Sequence, residues 1–269
     1  MHPVIFRIGT LPINSYGVML AISFILGVKL AMVRAGRAGF SPSSIADLGL
    51  IVMVSAIAGS RAFYVLTHLE EFSSNWLEVV AIWKGMYGLS MLGGVVLAMV
   101  AGFAFVAYKR WNAWKLADAV IPAFALGIFI TRIGCFLNGC CFGTPTCSPL
   151  GVSFPEGSLP WSVYGSAAIH PAQLYSSLTG LYMLLVLLLA DRRGHFRGFV
   201  FVLFFALYGA TRFGIELFRH FDQSPTPLFG HSPLTGLDGI TNNQVISLVI
   251  LLAAMSIGVF LYLRSSRDS

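Results

Sequence analysis

Residues 115–136 read KLADAVIPAFALGIFITRIGCF, and this stretch decides the fold. Beyond Lys115 and Asp118 at its start, the only charge it carries is Arg132. Crossing about 30 Å of hydrocarbon as a helix takes about 20 predominantly apolar residues, so a run of this length spans a bilayer, whereas a run of about 10–14 would suit a soluble core. The pattern recurs on both sides. Toward the N-terminus apolar runs cover 88–108, 44–67 and 16–34, and toward the C-terminus they cover 170–190, 198–218 and 243–263, separated by polar or Gly/Pro-rich breaks. Over all 269 residues, 57% are hydrophobic and 10% are charged, against about 25% charged in an average soluble domain. The expected architecture is an all-α membrane protein of about seven transmembrane helices, one polytopic domain over 1–269 with a central lipid-binding cavity. The opening MHPVIFRIGTLPINS is followed by no small-residue cleavage site, so the first span is expected to stay in the mature protein.

Loop charge orients the bundle. Arg34, Arg37, Lys109, Arg110, Lys115, Arg192, Arg193, Arg197, Arg264 and Arg267 fall in the connections after spans one, three and five and in the tail, ten basic residues on one side. Basic connections stay cytoplasmic, which places the N-terminus outside and the C-terminus in the cytoplasm. The outer connections, at about 68–87, 137–169 and 219–242, are the long ones. Residues 70–87, with Trp76, Trp83 and Tyr87, suit an amphipathic helix at the headgroup level. The net charge of +6 is dispersed, with no soluble basic domain to present it. No nucleic acid is expected as a partner, and anionic membrane lipid is.

Three arginines fall inside spans: Arg61, Arg132 and Arg212. A charge there costs about 2.5–3.5 kcal/mol on insertion scales and needs a partner, a wet cavity or the interface. In YGATRFGIELFR, residues 208–219, Arg212 and Glu216 lie four apart on one helix face with Tyr208 a turn earlier. They form either a structural ion pair or part of a site. Arg132 has no acid within four residues, and TRIGCFLNGCCFG, residues 131–143, mixes small and polar side chains at the outer end of its span. Glycine permits close backbone approach, and a guanidinium offers a planar fork of donors matched to phosphate oxygens. Two such arginines can hold one phosphodiester, which points to an enzyme acting on an anionic phospholipid. Arg61 either joins them or snorkels to the interface. Asp118, three residues after Lys115, is expected to pair with it.

All four cysteines, Cys135, Cys140, Cys141 and Cys147, fall within thirteen residues. Their spacing matches no standard zinc or iron–sulfur pattern, so no metal is expected. A thiol oxidoreductase would want a C-x-x-C pair, which is absent. On the outer face, one or two disulfides pinning the loop are the structural expectation.

Tyr16-Gly17 at the head of span one, Gly93-Gly94, R-I-G-C-F-L-N-G over 132–139, H-P-A-Q-L-Y over 170–175 and Y-G-x-x-R-x-x-x-E over 208–216 together resemble the prolipoprotein diacylglyceryl transferase family. Order, spacing and membrane placement agree over nearly the whole chain. The resemblance implies transfer of the diacylglyceryl group of phosphatidylglycerol to the lipobox cysteine thiol of a preprolipoprotein signal peptide. A thioether forms and glycerol phosphate leaves, in the bacterial cytoplasmic (inner) membrane, with no metal and no cofactor. It implies Arg132, Arg212, Glu216, Tyr208 and Tyr16 in catalysis, and Arg132, Asn138, Gly143, Arg61, Gly93, Gly94 and Gln244 in phosphatidylglycerol binding. Glu216 would orient Arg212, and the two deep arginines would stabilise charge on the departing phosphate oxygen.

Two departures bear on the chemistry. The family usually carries histidine immediately before the glycine pair, where this chain reads Ser90-Met91-Leu92-Gly93-Gly94. Cys135 and Cys140 stand where asparagine and glutamate are common. Leucine cannot take a proton. Either the thiolate forms under the arginine fields with help from His170, Tyr16 or Tyr208, or the chain is a catalytically impaired relative that binds or transports phospholipid. His170 is the candidate replacement base; its other reading is a cap beside Pro171 at the start of span five.

Overall fold

The computed structural model describes residues 4–8, 11–72, 79, 88–220 and 241–266. The interfacial helix expected over 70–87, with Trp76, Trp83 and Tyr87, and the outer connection over 219–242 lie mostly outside those residues. A hairpin of β1 (Val4–Ile8) and β2 (Leu11–Asn14) leads into α1 (Ser15–Arg37), α2 (Pro42–Thr67), the short α3 (Leu69–Phe72) and α4 (Met91–Tyr108). There follow α5 (Ala113–Asn138), the short α6 (Leu159–Tyr164), α7 (Ala172–Ala190), α8 (Phe199–Glu216) and α9 (Asn242–Ser265). Seven of these helices, all but α3 and α6, are long and apolar enough to cross a membrane. Each coincides with an expected span to within a few residues. Helices satisfy every backbone group internally, which hydrocarbon demands. Large apolar side chains such as Val100, Phe103, Leu178, Leu252 and Phe260 stand exposed on them. Among the described residues, the antiparallel hairpin adds two strands to the helices, and β-branched Val4, Ile5, Ile8 and Ile13 favour it.

The chain packs as two compact units, residues 32–116 and residues 1–31 with 117–269. In the unit over 32–116, α4 presses into α2 through glycine. A Cβ on Gly59 would lie 2.5 Å from the Gly93 carbonyl oxygen, one on Gly93 would strike Phe63, and one on Gly94 would strike the Ser60 hydroxyl. Lipid tails are as apolar as leucine, so helices associate by close van der Waals contact, and small residues permit it. Gly93 and Gly94 therefore form a helix crossing.

In the other unit, α5 is packed on two sides. Against α1, a Cβ on Gly134 would lie 2.8 Å from Met19 Cβ and 3.5 Å from Tyr16 Cα. Against α7, a Cβ on Gly180 would lie 2.6 Å from the Phe129 nitrogen, and the Ser177 hydroxyl donates to the Phe129 carbonyl at 2.8 Å. Ile121, Ala125, Met183, Leu184, Leu187, Val200 and Phe204 form the buried core shared by α5, α7 and α8. Asp118, whose spacing from Lys115 predicts a local pair, places both carboxylate oxygens on the start of α8, accepting from Gly198 N at 2.6 Å and Phe201 N at 2.9 Å. A helix N-terminus has unpaired donors and a positive dipole end, and a buried carboxylate satisfies both.

Candidate active site

The site is assembled where α5 and α8 end. α5 closes on a Schellman motif: Gly139, at φ 79°, donates to Cys135 O at 3.0 Å and Phe136 O at 3.2 Å, and Cys140 N donates to Cys135 O at 3.2 Å. This geometry folds the second residue past the cap back onto the last helical turn, which sets Cys140 against Cys135. Cys141 then adopts φ 60°, a left-handed conformation that costs a non-glycine residue roughly 1–2 kcal/mol, and its side chain turns the same way. The three sulfurs lie within 4.8 Å of one another, and all four cysteines are free thiols. The disulfides expected in this loop are not formed. Hydrogen bonds from the Cys135 and Cys140 thiols, then the charges of Arg219 and Arg132, hold the Cys141 thiol well below the usual thiol range. The Asn138 amide acts on the Cys140 sulfur. Tyr16, brought beside α5 by the Gly134 crossing, lies within electrostatic reach of Arg132 and all three cysteines.

At the end of α8, Arg212 Nη2 lies 2.9 Å from Glu216 Oε2, and Arg219 Nη1 lies 3.7 Å from the same oxygen. Glu216 is buried, and its Oε1 accepts a 2.6 Å bond from Asn243 Nδ2 at the start of α9. That start is fixed by a capping box: Thr241 Oγ1 accepts from Gln244 N at 3.2 Å, and Gln244 Oε1 accepts from Thr241 N at 2.9 Å. Gln244 thus sets the position of Asn243. Arg212 feels Arg219, Glu216, Tyr208 and Arg132 in decreasing order. Arg132 is half-buried and makes no ion pair among the described residues.

The loop after α5 is spliced between the ends of α7 and α8. Gly143 N donates to His170 O at 3.0 Å, Thr144 N to Phe218 O at 3.0 Å, and His220 N to Phe142 O at 3.0 Å. A Cβ on Gly143 would collide with the carbonyl oxygens of both His170 and Phe218. This splice brings Arg219 alongside the cysteines. His170 shares a 3.2 Å hydrogen bond with the Tyr175 hydroxyl, and its backbone belongs to the splice. Pro171, not His170, is the N-cap of α7, because the residue before a proline is held extended.

The structure therefore gathers Tyr16, Arg132, Asn138, Gly143, Tyr208, Arg212 and Glu216 in one unit with His170 and Gln244. Arg61, Gly93 and Gly94 belong to the other unit. There Arg61 donates to Val79 O at 2.8 Å and Gly88 O at 2.9 Å, and its guanidinium sits 5.1 Å from the Phe72 ring centroid. Two further residues stand beside these groups. Arg219 is visible only as a basic residue three positions after Glu216. Gln173 is fully buried and donates to Cys140 O at 2.9 Å, while its own carbonyl oxygen finds no partner among the described residues. A fully polar side chain at the start of an apolar span was its signal.

The family model for prolipoprotein diacylglyceryl transferase matches residues 3–260. A phosphatidylglycerol–prolipoprotein diacylglyceryl transferase of Clostridium tetani is 28% identical over 264 residues, 97% of each chain. One from Geobacter sulfurreducens is 34% identical over 226 residues, covering 82% of this chain and 84% of its own. One from Acaryochloris marina is 34% identical over 219 residues, 81% of this chain and 79% of its own. With a helical plan that meets the expected spans and an arginine–glutamate pair in the expected motif, this chain belongs to the prolipoprotein diacylglyceryl transferase family.

Proposed function

We propose that this protein transfers the diacylglyceryl group of phosphatidylglycerol to the lipobox cysteine thiol of a preprolipoprotein. We place it in the bacterial cytoplasmic membrane as one polytopic domain, with the 137–169 loop outside and the C-terminus in the cytoplasm. Two guanidinium groups, Arg212 and Arg219, face one buried carboxylate, Glu216, and a third, Arg132, lies within electrostatic reach of Arg212, which supports this reading. A surplus of positive charge in a half-buried place calls for an anion, and a phosphodiester matches guanidinium forks.

The substrate sulfur attacks the glyceryl carbon that bears the phosphodiester. A C–S bond forms as the C–O bond breaks, and its electron pair passes to the glycerol phosphate oxygen. Arg132 and Arg212 stabilise that charge, with Glu216 and Asn243 holding Arg212 in place. Tyr16, Tyr208 and His170 are the side-chain candidates for taking the thiol proton, and Asn138 and Gly143 shape the headgroup pocket. Gly93, Gly94, Arg61 and Gln244 contribute through helix packing and capping.

Purified protein given phosphatidylglycerol and a lipobox peptide should yield diacylglyceryl-peptide and glycerol phosphate by mass spectrometry. No product under conditions where a known family member turns over would overturn the reading. Leu92, standing where the family usually has histidine, favours a second reading, a phospholipid-binding relative without chemistry. Saturable phosphatidylglycerol binding with no headgroup release, and no rescue of a transferase-depleted cell, would establish it.

A further inference from the structure

We propose that Cys135, Cys140 and Cys141 form a three-thiolate site for Zn²⁺, with the fourth coordination position open to the thiol of the acceptor peptide. The second half of this proposal rests on the transferase reading; the metal site itself does not. Zn–S bonds of about 2.3 Å in a tetrahedron place sulfurs about 3.8 Å apart. The three sulfurs already lie within 4.8 Å of one another, so sub-ångström shifts complete the geometry. Sequence spacing argued against a metal because adjacent Cys140 and Cys141 cannot both belong to a standard paired element. The helix end supplies the missing geometry. The Schellman turn carries Cys140 back to Cys135, and the left-handed Cys141 sends a third sulfur to the same point. A glycine would hold that left-handed turn without strain, yet a thiol stands there.

The surroundings are those of a ligated anionic cluster. Three thiolates on Zn²⁺ carry one net negative charge, and the fields of Arg132 and Arg219 reach this place. Gln173 anchors the Cys140 backbone at 2.9 Å, and the Asn138 amide reaches the Cys140 sulfur. Such outer contacts orient metal ligands. Three protein ligands with an open position are the pattern of a catalytic zinc, whereas a structural zinc is closed by four.

The chemistry fits the deprotonation step, for which a bound metal is an alternative to Tyr16, Tyr208 and His170. A thiol bound to zinc is deprotonated outright, and its proton passes to water at the membrane surface. The bound sulfur's lone pair then forms the C–S bond as the C–O electron pair goes to the departing phosphate. The neutral thioether is a poorer ligand than a thiolate and dissociates. The nearby imidazoles have other partners: His170 shares its hydrogen bond with Tyr175, and His220 shares one of 2.6 Å with Tyr164.

The test uses full-length protein purified under reducing conditions and measured for zinc by mass spectrometry. Near-stoichiometric zinc is expected. Cys135→Ser, Cys140→Ser and Cys141→Ser should each weaken zinc binding by at least about tenfold. Cys147→Ser, at an exposed thiol outside the cluster, should retain the metal. Cobalt-exchanged protein should show thiolate-to-metal charge transfer, and its spectrum should change on adding a lipobox peptide but not the Cys→Ser peptide. Thermal unfolding of each variant separates loss of ligand from loss of fold, and a Cys140→His variant, which keeps a ligand atom, should recover zinc. No zinc in wild type, a disulfide among the three cysteines in the active protein, or a site taking only copper(I) would overturn the metal assignment. Zinc without a peptide response would overturn its catalytic half. Transfer by metal-free protein overturns the catalytic half and leaves the transferase reading standing; bound zinc with no transfer leaves the metal site standing and overturns the transferase reading with the catalytic half.

Discussion

Arg212 Nη2 lies 2.9 Å from Glu216 Oε2 one turn along α8, and the same carboxylate holds Asn243 of α9 at 2.6 Å through its other oxygen. One buried side chain thus ties the helix that carries the guanidinium to the helix that follows. Its i,i+4 spacing brings the pair together in any helix, but the second contact makes it rigid. Stabilisation of developing charge calls for donors held in place beforehand.

Arg212→Ala should lower turnover by at least about 100-fold, and Arg212→Lys should also be impaired, since an ammonium does not reproduce the fork. Glu216→Ala should lose turnover and about 3–5 kcal/mol of stability, because it leaves buried positive charge without its counter-ion. Turnover assays and thermal unfolding read the two effects separately. Near-normal turnover in Arg212→Ala would remove that residue from the mechanism.

Gly143→Ala should be among the most damaging small substitutions in the chain. The added methyl meets two backbone carbonyls, those of His170 and Phe218, and neither is the end of a flexible side chain. A lower melting temperature and lost turnover are expected. Gly214→Ala, on α8 with nothing within 4 Å of the added atom, should be neutral or slightly stabilising by comparison. Equal melting temperatures for the two would refute the splice as a rigid junction.

Gln173→Leu should cost about 1–3 kcal/mol, because the Cys140 carbonyl loses its donor. The turn that holds Cys140 and Cys141 should loosen, so alkylation of these cysteines by iodoacetamide, after chelation, should speed up. Unchanged stability and alkylation rates would show that the contact anchors nothing.

Asp118→Ala should destabilise by about 1–2 kcal/mol, since α8 loses acceptors for two N-terminal donors. Turnover per folded molecule should stay close to wild type, because the cap lies at the opposite end of α8 from Arg212 and Glu216. A melting temperature equal to wild type would contradict the capping role.

Much of this was legible without coordinates. Span lengths follow from hydrocarbon thickness, so the seven helices could be bounded to within a few residues. The Arg212–Glu216 pair follows from 3.6 residues per turn. Both are local properties: chain neighbours determine them, and no distant contact changes them. The arginine at 132 announced itself by cost alone. Asp118 shows where local reasoning stops, for Lys115 is its neighbour along the helix while two backbone donors of α8, some eighty residues away, hold its oxygens.

Only the tertiary structure decided what surrounds the arginines. Gly143 has no room for a side chain because the segments flanking α7 and α8 pass on either side of it, and no window of sequence contains all three. The cysteine spacing looked wrong for a common site because sequence distance ignores a helix cap that reverses the chain and a left-handed residue that reverses it again. The sequence by itself therefore determined a seven-helix membrane protein with a charge pair at the end of one span. The packing of helix ends against one loop decided which arginines, thiols and backbone carbonyls share one place, because that convergence is made by contacts far apart in the chain.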